Sequence, residues 1–414
     1  MASVTAVVVS NSAIAREMLK DNEMSFVSRP DIGSPEYNIY KGTSFTFAEY
    51  GAYWRFLKKL CMTELLSAPQ IARFAHIRTE ERMKLLENLF RCSEEGKVCD
   101  LRKELTRLTN NNICRMAMST RCSGSDDESE KVLKIVKGME TLALKLSVGE
   151  LSTGPYASKF DLFGYGRKLK ELFLEFDEFV EKLIVQHELD LTSGNKDRKK
   201  DLMHILLEIC RDENAEMQLT RTQIKSFILE LFVGATNTTS VVLEWTMAEV
   251  INHQSILKKL REEINGVVGS KRLVEESDIP NLPYLQAVVK ETLRLHPAVP
   301  LLIRRCDQDC KINERFTKNH KQYSQYQMDL KGQNFSLFPF GTGRRGCPGA
   351  SLALSAIQVL VATLVQCFDF VIEGGDMLNM EEGTGFSSGM VHPLLCHVTN
   401  VAQFNPSNPV SLKS

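Results

Sequence analysis

The stretch that decides the fold runs from residue 338 to residue 350 and reads FPFGTGRRGCPGA. It places Cys347 among four glycines, and an apolar segment then continues to about Phe368. We predict that this segment is a buried helix because it is apolar nearly all round. Pro348 suits the first helical position. Cys347 then lies at a helix N-terminus, where free amides and the positive end of the dipole favour a thiolate.

The glycines around the cysteine have separate expected roles. Gly341, Gly343 and Gly346 allow a tight turn that points amides toward the sulfur of Cys347. Hydrogen bonds of this kind tune the metal that a cysteine binds. Gly349 leaves space for a flat cofactor to approach. The alternative is a glycine-rich turn before a buried helix, with the cysteine acting only as a small buried hydrophobe.

Helical periodicity dominates the remainder of the chain. Apolar residues recur at three- and four-residue spacing among charges, which predicts helices over residues 72–92, 98–121, 130–148, 166–190 and 199–212. Strand patterns are few, and we predict strands in Val4–Val9 (before a short helix, Ser12–Lys20), around Cys310–Ile312 and around Val391–Val401. The fold class is therefore mainly α with a small β portion.

One predicted helix is longer than the others. Thr220 and Gln223 form a capping-box pair, and an apolar-rich stretch runs from them to about Asn252. Its middle, GATNTTS at residues 234–240, consists of poor helix formers whose hydroxyls can bond the carbonyl one turn back and bend the helix. This stretch is either a tolerated local weakness or a place where the helix opens.

Composition excludes some classes of function. The 414 residues carry 51 basic and 52 acidic side chains with no basic stripe, so no nucleic-acid partner is expected. The eleven cysteines are odd in number and scattered, which indicates a reducing compartment with free thiols. No apolar run suggests a membrane span and no signal peptide is visible, so we expect no anchor in this chain.

A zinc site would be another use of the cysteines. Cys306 and Cys310, with His320 further along, supply possible ligands, but their spacing fits no common zinc site. We interpret His296 as the end of a helix rather than as a metal ligand.

The cysteine stretch resembles the haem-binding signature of cytochromes P450, F-x-x-G-x-R-x-C-x-G, at every fixed position from residue 340 to residue 349. The resemblance extends along the chain and implies a single cytochrome P450 domain over residues 1–414. It also implies haem b, with Cys347 as the axial thiolate and metal ligand. The other loop residues implied in haem binding are Phe340, Gly341, Gly343, Arg345 and Gly349.

Two further segments resemble family motifs that hold the haem propionates. Trp54 and Lys58 match a W-x-x-x-R/K motif, although taken alone they would indicate only an amphipathic helix with a basic face. Arg304 stands where the family often places another propionate ligand.

A third motif concerns structural charges. Glu291 and Arg294 match the family's E-x-x-R helix, and at this spacing they share a helix face. Arg315, in NERF at residues 313–316, is the implied third member of a buried ion cluster. Taken alone, the ordinary interpretation is an exposed pair that contributes little to stability.

The long helix resembles the oxygen-binding segment of the family. Thr238 is implied as the distal threonine and Asn237 stands where an acid is usual; together they are the candidate catalytic residues. The candidate substrate contacts lie on the long helix, after residue 296 and in a C-terminal turn: Phe232, Gly234, Val299, Ile303, Ser388 and Met390.

Finer similarity, in YWRFLKKLCMTELL at residues 53–66 and LPYLQAVVKE at residues 282–291, points to plant enzymes of the endoplasmic reticulum membrane. This branch includes flavonoid and pterocarpan hydroxylases and terpenoid-oxidising enzymes. The resemblance implies a monooxygenase that oxidises a small apolar plant metabolite with O2. Electrons would come from NADPH through NADPH–cytochrome P450 reductase, docked near Arg344 and Arg345.

The chain departs from the family in three respects. It starts after the expected membrane anchor, Asn237 and Ala235 replace the usual acid and glycine, and Ile312 passes directly to Asn313 where the family has a few tens of residues. Two alternatives therefore stand beside the monooxygenase. One is a non-catalytic splice or gene-prediction product, and the other is a haem-thiolate isomerase or dehydratase that needs no reductase.

Overall fold

The computed structural model describes most of the chain outside its two ends and several internal gaps. The described residues are 7–30, 37–122, 132–142, 145, 161, 163–192, 200–312, 330, 335, 337–372, 377–383, 385 and 387–401. Arg315 and His320 therefore lie outside the described residues.

The described part is built mainly from α-helices, as predicted. They are α1 (Ser12–Arg16), α2 (Ala52–Glu64), α3 (Ala68–Arg73), α4 (Ala75–Glu94), α5 (Leu101–Met118), α6 (Tyr165–Thr192), α7 (Leu202–Arg211), α8 (Arg221–Asn252), α9 (Gln254–Val267), α10 (Pro283–Leu295) and α11 (Ala350–Cys367). Residues 132–142 are also helical, and short π or 3₁₀ turns occupy Glu17–Asp21, Glu23–Phe26 and Glu276–Asn281.

A small antiparallel sheet accounts for the β portion. Its strands are β1 (Cys99–Asp100), β2 (Phe368–Val371) and β3 (Leu395–Asn400), in the order β1-β3-β2. The predicted C-terminal strand is thus confirmed. The other two strand predictions are wrong for the described residues, because 7–11 and 310–312 have no ladder partner. An isolated bridge forms nearby instead, between Ser28 and Arg305.

The long helix α8 runs through the protein core. Its predicted capping box is present, with the Thr220 hydroxyl accepting from the Gln223 amide and the Gln223 side chain accepting from Thr220. Both flanks of its polar middle are buried, and Trp245 is fully enclosed. Helices α8 and α11 are long and apolar enough to cross a membrane by length and composition alone, and more than half of each apolar window is buried inside the protein.

The helix after the cysteine begins later than predicted. It starts at Ala350 with Gly349 as its N-cap, and Pro348 belongs to the preceding turn rather than to the first helical position. Cys347 is therefore separated from the helix by a two-residue turn. This turn lets the amides that open α11 fold back toward the cysteine sulfur.

Candidate active site

The cysteine loop is a tight, hydrogen-bonded turn. The Cys347 amide donates to the Phe340 carbonyl at 2.8 Å, and the Gly346 amide donates to the Gly343 carbonyl at 2.9 Å. Gly341 and Gly343 have φ of 69° and 66°, a left-handed conformation that favours glycine. A Cβ at Gly343 would also collide with the carboxylate of Glu23.

The Cys347 side chain is exposed, and two amides aim at its sulfur. They come from Gly349 and Ala350, not from the three earlier glycines that the sequence suggested. Burial of the loop raises the pKa of the Cys347 thiol. The Gly349 amide, the charge of Lys58, the Ala350 amide and the charge of Arg29 oppose that rise in pKa. Local donors and charges therefore offset only part of the cost that burial imposes on an anionic sulfur.

Helix α2 supports the loop through two sequence-predicted residues. Lys58 Nζ donates to the Gly346 carbonyl at 2.9 Å. Trp54 is buried and its ring lies 4.6 Å from the guanidinium carbon of Arg345. Arg345 donates to the carbonyls of Val27 and Ala48, at 2.8 and 2.5 Å. The loop is thus tied to α2 and to the N-terminal segment.

Excess positive charge gathers beside the cysteine. Burial and the neighbouring charge of Arg29 lower the pKa of Arg304 and Arg345 to about 10. Burial also lowers the pKa of Arg29 and of Lys58. Among the described residues, none of these four cations forms an ion pair with a carboxylate. Such crowding of buried cations is stabilised by an anionic ligand.

Arg29 belongs to this group but was missed from the sequence. It precedes Pro30 in an irregular segment and follows no motif. Only the tertiary approach of the N-terminal segment to the cysteine loop brings its charge near Cys347.

The expected reductase-docking face at residues 344–345 needs correction. Arg345 is only 8% exposed and points inward to backbone carbonyls. Arg344 is partly exposed and bound to Glu23. Of the two arginines, only Arg344 therefore lies at the surface.

The expected ion cluster is seen only in part. Glu291 and Arg294 form a bidentate pair at 2.6 and 2.8 Å, which lowers the pKa of Glu291. Their side chains are 50% and 44% exposed, so the expected burial is not found for these two residues. A pair this exposed contributes little to stability, because water solvates both partners.

On the long helix, three side chains meet near the predicted bend. Asn237 Nδ2 donates to Ser387 Oγ at 2.5 Å and to Glu140 Oε2 at 3.1 Å. Thr238 Oγ1 donates to the Gly234 carbonyl at 2.7 Å, one turn back. Gly234 is exposed in mid-helix, with nothing within 4 Å of the position of an added Cβ. The middle of α8 is therefore open on this side.

Glu140 is a second residue that the sequence did not reveal. It lies in the helical stretch 132–142, where one charge among several resembles a solvated face. Burial raises the pKa of Glu140 to about 7, against the opposing effects of the hydrogen bond from Asn237 and the charge of Lys137. A carboxyl group with a raised pKa thus contacts Asn237, one member of the candidate catalytic pair.

The predicted substrate contacts divide into two groups. Phe232 and Met390 are buried in the hydrophobic cores, so the structure does not place them at an open surface. The Phe232 ring packs edge-on against Phe176, with centroids 5.6 Å apart. Val299, Ile303 and Ser388, together with Gly234, keep accessible surface and stay candidates.

Two groups that contain histidines outside this site have polar partners among the described residues. His296 stacks on Trp245 with ring centroids 4.0 Å apart and contacts Glu249 at 2.8 Å, as expected for a residue that ends a helix. His187, Asp201 and His204 form a buried group with metal-compatible spacing. In this group Asp201 already binds both histidines, at 3.1 and 2.7 Å.

Comparison with known protein families identifies the family of the chain. A family model described as Cytochrome P450 matches residues 1–322 and 313–397. The chain belongs to the cytochrome P450 family. It is a monooxygenase of this family, with haem held by a thiolate and electrons supplied by a reductase.

Plant relatives support the branch as well as the family. The chain is 37% identical to a soybean (Glycine max) 3,9-dihydroxypterocarpan 6A-monooxygenase over 442 aligned positions, covering 98% of this chain and 86% of the relative. It is 37% identical to a soybean beta-amyrin 24-hydroxylase, covering 97% and 84%. It is 36% identical to cytochrome P450 93B2 of Gerbera hybrida, covering 96% and 83%.

Solved structures confirm the fold. A zebrafish cytochrome P450 solved with progesterone matches with a TM-score of 0.74, covering 94% of this chain and 93% of that one. A second structure of a zebrafish cytochrome P450, with abiraterone, also gives 0.74. At 23% identity these two structures support the architecture alone.

Proposed function

We propose that this cytochrome P450 oxidises a small, apolar, ring-containing plant metabolite of the flavonoid, isoflavonoid or terpenoid kind. The observation that carries the assignment of the active centre is the exposed Cys347, held by two amides beside four cations that form no ion pair within the described part of the chain. Support for the substrate class comes from the relatives, whose names refer to a pterocarpan and to beta-amyrin.

The residues present fit a haem group. A haem offers an iron for a thiolate and two propionates for cations. Cys347 would supply the thiolate, and Arg29, Lys58, Arg304 and Arg345 place positive charge nearby. A Cβ at Gly349 would stand in ordinary contact with the Cys347 sulfur, at 3.9 Å from Sγ. When bound, the haem activates dioxygen and its thiolate favours O–O cleavage.

The protein's own contribution is to hold the sulfur, protect the site and handle protons. The two amides at the start of α11 donate hydrogen bonds to the Cys347 sulfur, which orients it and stabilises its negative charge. Thr238 and Asn237 occupy the open side of α8 and are the proposed proton-handling pair. Gly234, Val299, Ile303 and Ser388 are the proposed substrate contacts.

The cellular setting belongs to the same proposal. We infer the cytosolic face of the endoplasmic reticulum membrane and NADPH–cytochrome P450 reductase as the electron donor, from the plant relatives. The docking surface would include Arg344 and exclude the inward-pointing Arg345.

The test is spectroscopic and enzymatic. Reduced protein under carbon monoxide should give the red-shifted band of thiolate-ligated ferrous haem, and Cys347→Ala should abolish it. Cys306→Ala, which removes another exposed cysteine, is the matched control and should retain the band. Retention of the band in Cys347→Ala would refute the ligand assignment. Product formation from a metabolite panel should require NADPH and reductase, and product without them would favour an isomerase or dehydratase.

A second candidate, a chain without a competent haem pocket, has its own support. The first relative aligns over 442 positions although this chain has 414 residues. The family match is also divided, and its two parts meet at residues 313–322. Both facts agree with missing residues near 312/313 within the proposed single domain, 1–414. Absence of the carbon monoxide band in the wild type would favour this candidate.

A further inference from the structure

The contact between Asn237 and Glu140 joins two segments far apart in sequence. Glu140 lies on the helical stretch 132–142, whereas Asn237 lies in the middle of α8. One amide nitrogen of Asn237 donates to Glu140 Oε2 at 3.1 Å and to Ser387 Oγ at 2.5 Å. Asn237 therefore holds a carboxyl and a hydroxyl side by side, next to Thr238.

These groups differ in their ability to gain or lose a proton. An amide such as that of Asn237 neither gains nor loses a proton near neutral pH, whereas a carboxyl can. Proton transfer is most efficient when the donor's pKa lies near the working pH. Burial raises the pKa of Glu140 to about 7, while the hydrogen bond from Asn237 and the charge of Lys137 act against the rise. From α8, the amide of Asn237 donates to Glu140, and the same amide nitrogen donates to the hydroxyl of Ser387.

We propose that Glu140 is the proton-holding group of the distal side, supplying from a second helix the carboxyl that α8 lacks at Asn237. This inference rests on the proposed monooxygenase function. Glu140 acts through its neighbours and is a positioning residue rather than a catalytic one. Asn237 keeps it in place, and the proton moves toward Thr238 by way of hydroxyl groups such as that of Ser387.

The proton balance is that of a monooxygenation. Substrate, O2, two electrons and two protons give hydroxylated substrate and water. The electrons come from NADPH through the reductase, and the protons come from solvent. Glu140 releases one proton inward and is reprotonated by water, so no bond to its carboxylate forms and no further co-reactant is needed.

The first experiment measures the proton itself, without turnover. Infrared difference spectra of the purified protein between pH 5 and pH 9 should show a protonated carboxyl band that is lost with a midpoint near pH 7. The band should be absent in Glu140→Gln. It should persist in Glu178→Gln, a control at an exposed glutamate of α6. A wild type without a band that depends on Glu140 would overturn the proposal.

The second experiment measures coupling, as product formed per NADPH consumed. Glu140→Gln should lower coupling about tenfold, and the electrons should be recovered as hydrogen peroxide. This loss is smaller than the loss expected on removal of an acid that acts directly on the reacting atoms. It should also flatten the dependence of coupling on pH between 6 and 8. The double variant Glu140→Gln/Asn237→Asp should recover coupling, because the acid then stands on α8 itself.

The controls separate this role from two others. A purely structural contact would not be rescued by Asn237→Asp, and that result would overturn the proposal. A substrate anchor would weaken the spectral dissociation constant for substrate while leaving coupling intact, and that would overturn it as well. If wild-type protein forms no product at all, the proposed function fails. Failure confined to the Glu140 variants leaves wild-type turnover intact and refutes this inference alone.

Discussion

At the scale of single residues, the Thr238 hydroxyl makes a hydrogen bond within its helix and also remains accessible. Its hydroxyl donates to the Gly234 carbonyl at 2.7 Å, yet the residue keeps accessible surface. Thr246 makes the same bond to the Val242 carbonyl at 2.7 Å, but it is fully buried on the same helix. The two threonines therefore differ in exposure rather than in local geometry.

This difference gives a matched pair of variants. Thr238→Ala should divert electrons from product into hydrogen peroxide, since it removes a hydroxyl on the open side of α8. Thr246→Ala should lower stability without changing the ratio of product to peroxide. The measurement is product, peroxide and NADPH in one reaction. Unaltered coupling in Thr238→Ala would remove the threonine from the mechanism.

Glu140 also makes stability depend on pH. Its pKa is about 7 in the fold against 4.5 for the ordinary group, so between these values the unfolded chain has lost a proton that the folded chain keeps. Rising pH therefore favours unfolding. Relative to Glu140→Gln, the free energy of unfolding of the wild type should fall by about 2 kcal/mol from pH 5 to pH 8. Denaturant titrations at both pH values test this, and a pH-independent difference would contradict it.

At the scale of elements, the cysteine loop depends on α2 and on the N-terminal segment as much as on α11. Arg345 donates to the carbonyls of Val27 and Ala48 and faces the Trp54 ring. Glu230 on α8 in turn accepts from the amide of Thr46 at 2.8 Å and holds the segment around Ala48. The segment at Val27, the segment around Ala48, α2 and α8 thus help α11 to fix the loop.

Adjacent arginines allow this dependence to be tested. Arg345→Lys should lower the free energy of unfolding by about 2 kcal/mol, because a lysine cannot reproduce the planar, multiply bonded guanidinium. Arg344→Lys keeps a charge for the exposed pair with Glu23 and should change stability by less than about 0.5 kcal/mol. Thermal unfolding and haem content of both variants would decide. Equal effects would show that inward binding by Arg345 is unimportant.

Local sequence patterns predicted the helices. The environment of several candidate site residues depends instead on contacts between segments that are far apart in sequence. The long helix and the apolar helix after Cys347 were predictable because the periodicity of each, and the capping box of the long helix, lie within one segment. Arg29 and Glu140 were not, because each acquires its environment from a segment far away in sequence. The loop's motif predicted Cys347, but the identity of the two amides depended on where α11 begins.

At the scale of the whole molecule, we expect the connection that follows Ile312 to be shorter than in the family. The aligned length of 442 positions exceeds the 414 residues of this chain. The Glu291–Arg294 pair, expected to be buried with Arg315, is about half exposed. A buried pair that loses a partner typically costs about 3–5 kcal/mol, whereas an exposed pair costs little. A shortened connection is therefore expected to reduce what this motif contributes to stability.

Restoring the connection should accordingly restore the contribution of the motif. We expect that a chain with a family-length insert between Ile312 and Asn313 will retain more haem per protein and unfold at a higher temperature than the 414-residue chain. In that longer chain Glu291→Gln should be strongly destabilising, because it would leave buried cations unpaired. In the present chain the same substitution should change stability little, since water solvates both partners. Both forms should be purified in parallel and compared by haem content and thermal unfolding. Equal haem content, equal stability and equal sensitivity to Glu291→Gln would show that the cysteine loop is held without this cluster, by α2 and the N-terminal segment alone.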